Sequence, residues 1–100
     1  METLGEIIRV EREKRGLLLR HVGAAIDVDQ ALISKFERGE RLPSKDQVIR
    51  LANFYERDEN DFVAAWLADK IIMEVRNEKM AVRAMKLAQE KIKTILKPNK

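Results

Sequence analysis

The sequence predicts an all-α protein of six helices. Apolar residues recur at spacings of three and four along most of the chain, as on the buried face of a helix. No stretch alternates apolar and polar residues as a half-buried strand would. Four predicted helices also follow residues that can cap them, namely Asp29, Ser44, Asp58 and Asn77. With 100 residues, of which 45% are hydrophobic and 37% charged, the chain has the size and composition of one soluble helical domain.

The first four helices are short and closely spaced. The first covers residues 3–15 and ends at Gly16, with its apolar stripe interrupted by Glu11, while Val10 is expected to be exposed. The second covers residues 19–26. The third lies between its cap Asp29 and a stop at Gly39, and the fourth runs from a Ser44–Gln47 capping box to Tyr55.

The second and third helices form a helix-turn-helix arrangement, because only residues 27–29 separate them. Gly23 lies where the two helices must approach most closely, and Asp27 lies at the turn, where a left-handed backbone is expected. Val28 and Ile33 fill the gap between the helices. The third helix leaves a small, polar and basic face outside, and by itself such a face is most often only a solvated surface.

The last two helices carry more apolar residues than one core needs. The fifth begins after Asp58 and runs to Arg76, and its apolar residues wrap around more than one face, so two buried surfaces are expected. A break is predicted at Asn77, a possible cap, with a sixth helix over residues 78–96, although one long bent helix is an alternative. The sixth helix has an apolar seam at the spacing of a helix–helix interface, formed by Ala81, Met85, Ala88, Ile92 and Ile95.

The segment HVGAAIDVDQALISKFERGERLPS resembles the phage-repressor (XRE/Cro-like) helix-turn-helix family, and the resemblance extends from about Leu4 to Trp66. It implies a five-helix DNA-binding domain whose third helix enters the major groove. Glutamine can read adenine with two hydrogen bonds, lysine can reach guanine acceptors, and alanine can contact a thymine methyl group. The positions that match base contacts in the family are Gln30, Ala31, Ser34 and Lys35.

The resemblance also implies contacts that hold the domain on DNA. The loop and the start of the fourth helix match the family's phosphate-binding positions, which here are Arg38, Arg41, Ser44 and Lys45. The family often opens the second helix with Ser-Gln, but this chain has Leu18-Leu19, so Arg20 is expected to replace one lost anchor. Arg12 matches a family position that pairs with Glu37, and we expect a structural ion pair there.

Several other functions find no support in the sequence. There is no cysteine and only one histidine, His21, so no metal site, cofactor or nucleophile–base pair is predicted, and we expect no enzyme activity. His21 is expected on the surface, and Trp66 and the methionines Met73, Met80 and Met85 in a core or interface. No apolar run is long enough for a membrane span and no signal segment is evident, so a cytoplasmic protein is expected.

Two functions from different classes remain. The first is a sequence-specific DNA-binding regulator, a repressor or autoregulator that binds a pseudo-palindromic operator as a homodimer. The alternative is an antitoxin-like module whose C-terminal helices bind a second protein. On either hypothesis residues 1–67 form the helix-turn-helix domain, residues 68–96 a helical extension and residues 97–100 a frayed tail. For the homodimer, the expected interface consists of Ile72, Val75, Ala81, Met85, Ala88, Ile92 and Ile95.

Overall fold

The computed structural model describes residues 2–96, and over these residues it consists of six α-helices without strands. This confirms the predicted fold class. The predicted frayed tail, residues 97–100, lies outside the described residues. The helices are α1 (Leu4–Lys14), α2 (Leu19–Ile26), α3 (Gln30–Glu37), α4 (Lys45–Phe54), α5 (Glu59–Val75) and α6 (Ala81–Ile95).

Helix boundaries follow from local capping. The hydroxyl group of Thr3 accepts the backbone N–H of Glu6 at 3.1 Å, and the Glu6 carboxylate accepts that of Thr3 at 2.9 Å, which satisfies two N–H groups at the start of α1. The capping box of Ser44 and Gln47 opens α4 in the same way, as predicted. After α1, Gly16 adopts a positive φ of 63°, as expected of a glycine that ends a helix.

Contacts divide the chain into two compact units, one through Lys70 and one from Ile71 onward, whereas the sequence analysis places the boundary after Leu67. The first unit contains the hydrophobic core, to which α1, α2, α3, α4 and the first half of α5 all contribute. Its buried apolar residues are Leu4, Ile8, Val22, Ile26, Ile33, Phe36, Val48, Leu51, Ala52, Tyr55, Phe62 and Trp66.

The expectation that two surfaces of the fifth helix are buried is wrong for the single chain. Phe62 and Trp66 are buried, but Leu67 is 47% exposed and Ile71 44% exposed. One face of α5 is enough to complete the core of the first unit. The second apolar face therefore stays in contact with solvent.

The predicted start of the sixth helix is also wrong, although the break before it is present. Asn77 does not cap a helix; residues 76–80 form turns, in which the Glu78 N–H donates to the Val75 carbonyl at 2.9 Å and the Ala81 N–H to the Glu78 carbonyl at 3.2 Å. Helix α6 begins only at Ala81, and its N-cap residue, Met80, has no side-chain hydrogen bond to the helix. The chain therefore uses turn hydrogen bonds here in place of a side-chain cap.

Candidate nucleic-acid interface

A close approach of backbones fixes the angle between α2 and α3. Asp27 takes the predicted left-handed conformation, with φ 59° and ψ 51°, and the Val28 N–H donates to the Gly23 carbonyl at 2.8 Å. A Cβ atom on Gly23 would lie within 3.0 Å of the Val28 carbonyl oxygen, so only glycine fits at this position. The Arg50 guanidinium donates to the Ile26 carbonyl at 3.1 Å, so this carbonyl at the end of α2 has a hydrogen-bond partner. This contact was not predicted from the sequence.

Helix α3 is anchored on its inner side and capped at its start. Ile33, Phe36 and Glu37 are buried, and the Asp29 carboxylate accepts the Ala31 N–H at 2.7 Å. An isolated helix of eight residues would be marginal in water, so these contacts are what keep α3 in place.

The four residues predicted to contact bases share the outer side of α3. Gln30, Ala31 and Lys35 are exposed and Ser34 is half-buried. Positions i, i+1, i+4 and i+5 lie on one face of a helix, and this face is presented without a covering element in the described chain. The structure therefore brings together all four of these residues.

A bidentate ion pair fastens α1 to α3. The Arg12 Nε and Nη2 atoms donate to the Glu37 carboxylate at 2.8 and 3.0 Å, and Arg12 Nη1 donates to the Leu17 carbonyl at 3.0 Å. Glu37 is only 8% exposed, and this hydrogen bonding raises the pKa of the Arg12 guanidinium. Glu37 consequently faces the interior, so it is not available to read a base.

The same junction requires a glycine that the sequence analysis did not single out. A Cβ atom on Gly5 would lie within 3.0 Å of the carbonyl oxygens of both Phe36 and Glu37. Helix α1 therefore contacts the backbone at the end of α3 directly. The available signal was a glycine in the first turn of a helix, because glycine is a poorer helix former than alanine and so suggests a packing reason.

Glu11, which interrupts the apolar stripe of α1, is also buried. Its carboxylate pairs with the guanidinium groups of Arg15 and Arg57, and Arg15 also donates to the Tyr55 carbonyl at 2.8 Å. The hydrogen bond from Arg15 holds the pKa of Glu11 below its ordinary value. Burial raises the pKa of the neighbouring Tyr55 to about 12. These contacts tie α1 to the end of α4.

Arg38, a predicted phosphate contact, is already paired within the chain. Its Nε atom donates to the Glu40 carboxylate at 2.6 Å, and its Nη1 atom donates to the Ser34 hydroxyl at 2.5 Å. All three groups are at the surface or close to it, and the pairing lowers the pKa of Glu40. The free protein thus neutralises one of its predicted DNA contacts with a carboxylate that the sequence analysis did not consider.

Three further predicted phosphate contacts lie in the loop before α4 and at the start of that helix. Arg41, Ser44 and Lys45 are exposed, but the Ser44 N–H and hydroxyl oxygen are both engaged in the capping box. The Trp66 indole N–H donates to the Pro43 carbonyl at 2.8 Å, so a buried side chain attaches the loop to the core. Trp66 is therefore a core residue that also fixes the position of the loop.

Helix α2 begins without a side-chain cap, because the Leu18 side chain cannot accept an N–H of the helix. Only the reciprocal contact of a capping box is present, in which the Leu18 N–H donates to Nδ1 of His21 at 2.9 Å. Leu18 is exposed, Leu17 and Leu19 are partly buried against the core, and Arg20 is exposed as a phosphate contact requires. His21 lies on the surface, as expected, and in addition accepts the N–H of the residue before the helix.

Comparison with known families identifies the class of the protein. The family described as "Helix-turn-helix domain" matches residues 3–65, which include α1 to α4 and the start of α5. The chain belongs to this family, and membership points to a DNA-binding regulator. No curated protein and no solved structure matches the chain. Among residues 2–96, no helix combines the length and the apolar character that crossing a membrane requires.

Proposed function

We propose that the protein is a sequence-specific DNA-binding transcriptional regulator of the phage-repressor-like class. It acts in the cytoplasm as a homodimeric repressor or autoregulator on a pseudo-palindromic operator. The observation that carries this proposal is the exposed outer face of α3, a short helix that α1 and α2 hold in place.

The chemistry of that face suits the edges of bases in a major groove. Gln30 offers one donor and one acceptor in the plane that adenine presents, and Lys35 offers donors for the acceptors of guanine. Ala31 is small enough to allow close approach and can contact a thymine methyl group. Neither Gln30 nor Lys35 has a side-chain hydrogen bond in the described part of the chain, so neither must lose one to reach a base.

Basic residues around the face suit the phosphate backbone. Arg20 is exposed on α2, Arg41 is exposed in the loop after α3, and Lys45 is exposed at the start of α4. Such contacts fix the register of a protein on the duplex without reading its sequence. The net charge of +3 is small, so affinity for DNA depends on this local clustering rather than on the charge of the whole chain.

Two kinds of substitution test the assignment. Gln30→Ala and Lys35→Ala should each weaken binding to the preferred duplex by about 1–3 kcal/mol and relax the base preference at one position. Arg41→Ala should weaken binding to all duplexes alike and reduce the salt dependence by about one counterion. Lys79→Ala, on the turn before α6, is the control and should change neither. Unchanged affinity and unchanged base preference in the Gln30→Ala and Lys35→Ala variants would remove α3 from the role of reading helix.

The second candidate function is the antitoxin-like module, which the exposed apolar residues of α6 favour. Met85 is 37% exposed and Ile92 47% exposed, although both lie on the apolar seam. Such a surface calls for a partner. A wild-type protein that sediments as a monomer at tens of micromolar, also when DNA is bound, would favour a second protein as that partner over a second copy.

A further inference from the structure

Ser34 is held differently from the other residues on the outer face of α3. Its hydroxyl oxygen lies 2.5 Å from Nη1 of Arg38, one helical turn further along the chain. Gln30 and Lys35 have no side-chain hydrogen bond within the described part of the chain, and Ala31 has no polar side-chain atom. Of the four residues expected to contact bases, Ser34 is therefore the one whose polar group already has a partner among the described residues.

The backbone at the end of α3 places Arg38 and Glu40 side by side. Gly39 has a positive φ of 73°, and its N–H donates to the Phe36 carbonyl at 3.2 Å. The Glu40 N–H donates to the Lys35 carbonyl at 3.0 Å. These two bonds form a Schellman motif, which fixes the backbone at the end of a helix. Both charged side chains therefore start from a fixed local conformation.

The Glu40 carboxylate holds the Arg38 guanidinium in one orientation. Nε and Nη2 of Arg38 donate to the two carboxylate oxygens at 2.6 and 3.3 Å, and Nη1 is directed at Ser34. Both charged side chains are more than half exposed, and an exposed ion pair of this kind adds little to stability. Its consequence is geometric, because two hydrogen bonds to one carboxylate fix the plane of a guanidinium.

The contact with Arg38 restricts what the Ser34 hydroxyl can do. A serine hydroxyl has one donor and two lone pairs, so by itself it can read either a donor or an acceptor on a base. A guanidinium can only donate, so Arg38 occupies a lone pair of Ser34 and polarises its O–H group into a stronger donor and a weaker acceptor. Among residues 2–96 no acceptor takes the Ser34 O–H, whereas the Thr94 hydroxyl, also helical, donates to the Glu90 carbonyl. The Ser34 proton is thus available to a base.

We propose that Arg38 is a positioning residue that makes the Ser34 hydroxyl a hydrogen-bond donor toward DNA. This inference rests on the proposed function and specifies one base position within it. In the major groove, guanine, adenine and thymine each present an acceptor, whereas cytosine presents only the donor of its N4 amino group. Ser34 therefore disfavours cytosine on the strand that it contacts. Arg38 then acts on recognition through Ser34 rather than through a phosphate.

The base preferences of the full chain and its variants test the inference. Selection of duplexes by wild type and by Ser34→Ala identifies the base pair whose preference depends on Ser34. There the wild type should bind one orientation of the G·C pair roughly threefold to tenfold more weakly than the best pair, as one lost hydrogen bond predicts, and Ser34→Ala should lose this difference. Arg38→Ala should reduce the difference to about half or less, because Ser34 can then also accept from cytosine.

Arg41→Ala is the matched control, because Arg41 is another exposed arginine close to α3 and its expected partner is a phosphate. It should weaken binding to all duplexes alike and keep the wild-type preference. Combining Ser34→Ala with Arg38→Ala should give the preference of Ser34→Ala alone, since the two side chains act as one unit. Equal losses of preference in Arg38→Ala and Arg41→Ala would contradict the inference, because charge and not the contact with Ser34 would then be responsible.

Two further results would overturn the inference, namely full wild-type preference in Arg38→Ala and a disfavoured pair that is A·T in either orientation. If Arg38→Ala does not fold, as judged by circular dichroism, Arg38→Met keeps an unbranched side chain without a donor and should have the same effect. A wild-type protein that enriches no sequence contradicts the proposed function and with it this inference. An enriched sequence in which no position depends on Ser34 contradicts this inference alone.

Discussion

The two units of the chain differ in how far their apolar residues are buried. In the first, apolar residues from five helices meet in one core, and even two carboxylates, those of Glu11 and Glu37, are buried with arginine partners. In the second, none of residues 71–96 is buried, although apolar residues recur there at helical spacing. Helical periodicity therefore indicates which face of a helix is apolar, but it does not indicate which surface covers that face.

This difference matches the two tasks that we assign to the units. A helix that reads bases must hold its side chains in one orientation, and α3 achieves this because α1 and α2 contact its backbone at points where only glycine fits. A surface that assembles with another copy must instead stay accessible until that copy arrives. Substitutions in the first unit, two of them paired with a control position in the second, test this contrast.

The largest effect is expected where backbones touch. Gly5→Ala should lower the free energy of unfolding by about 3 kcal/mol or more, because the new Cβ overlaps two carbonyl oxygens of α3. Gly16→Ala is the control: its Cβ would meet nothing within 4 Å, and only the positive φ of 63° opposes it, so about 1 kcal/mol is expected. Urea denaturation measures both. Equal losses for the two variants would show that α1 and α3 are not in close contact.

The next effect concerns the buried ion pair. Arg12→Ala leaves the Glu37 carboxylate buried without its partner and should cost about 2–3 kcal/mol of unfolding free energy. Arg83→Ala, on the exposed surface of α6, should change stability by no more than about 0.5 kcal/mol. Thermal and urea unfolding measure the stability of both variants. Similar small losses of stability would show that the Arg12–Glu37 pair does not hold α3 in place.

A smaller effect is expected from Glu11 and depends on pH. Because the folded-state pKa of Glu11 lies below its ordinary value of 4.5, its contribution to stability is present above pH 4.5 and is lost as the pH falls through the folded-state pKa. Glu11→Gln should therefore be less stable than wild type at pH 7 and should lose less stability on acidification. Glu78→Gln, at an exposed position in the second unit, should follow the wild-type curve. A Glu11→Gln curve parallel to the wild-type curve would contradict this role.

The smallest effect is expected at the surface pair beside α3. Glu40→Gln should release Arg38 for phosphate and remove a negative charge, so that affinity for all duplexes rises by roughly two- to fivefold at low salt. The salt dependence should also steepen by about one counterion. Affinity that falls, or that rises for one duplex alone, would show that Glu40 does not act by neutralising Arg38.

The sequence predicted the first unit more completely than the second. The capping box at Ser44, the left-handed Asp27 and the close approach at Gly23 were all predictable, because each depends on residues only a few positions apart. The buried state of Glu11 was not, since Arg15 is only four residues away but the second partner, Arg57, is 46 residues away. A carboxylate on an apolar stripe reveals that it needs a partner but not where the partner is.

The misplaced start of α6 has a similar physical cause. Asn77 has the side chain of a good cap, yet the backbone there forms turns, and α6 begins at Ala81 without a side-chain cap. Capping preferences are worth about 1 kcal/mol, which turn hydrogen bonds can offset. For the candidate interface, the sequence identified the residues on α3 but not the Arg38–Glu40 pair, because the loop geometry after Gly39 brings these charges together.

Selection of preferred duplexes from a random pool by the full chain tests the central claim, that α3 reads DNA sequence, most directly. The account predicts enrichment of one pseudo-palindromic sequence whose half-sites lie about 34 Å apart, with an adenine and a guanine position in each half-site that Gln30→Ala and Lys35→Ala respectively no longer prefer. A pool that emerges without any enriched sequence, or with a preference that both variants retain in full, would contradict it.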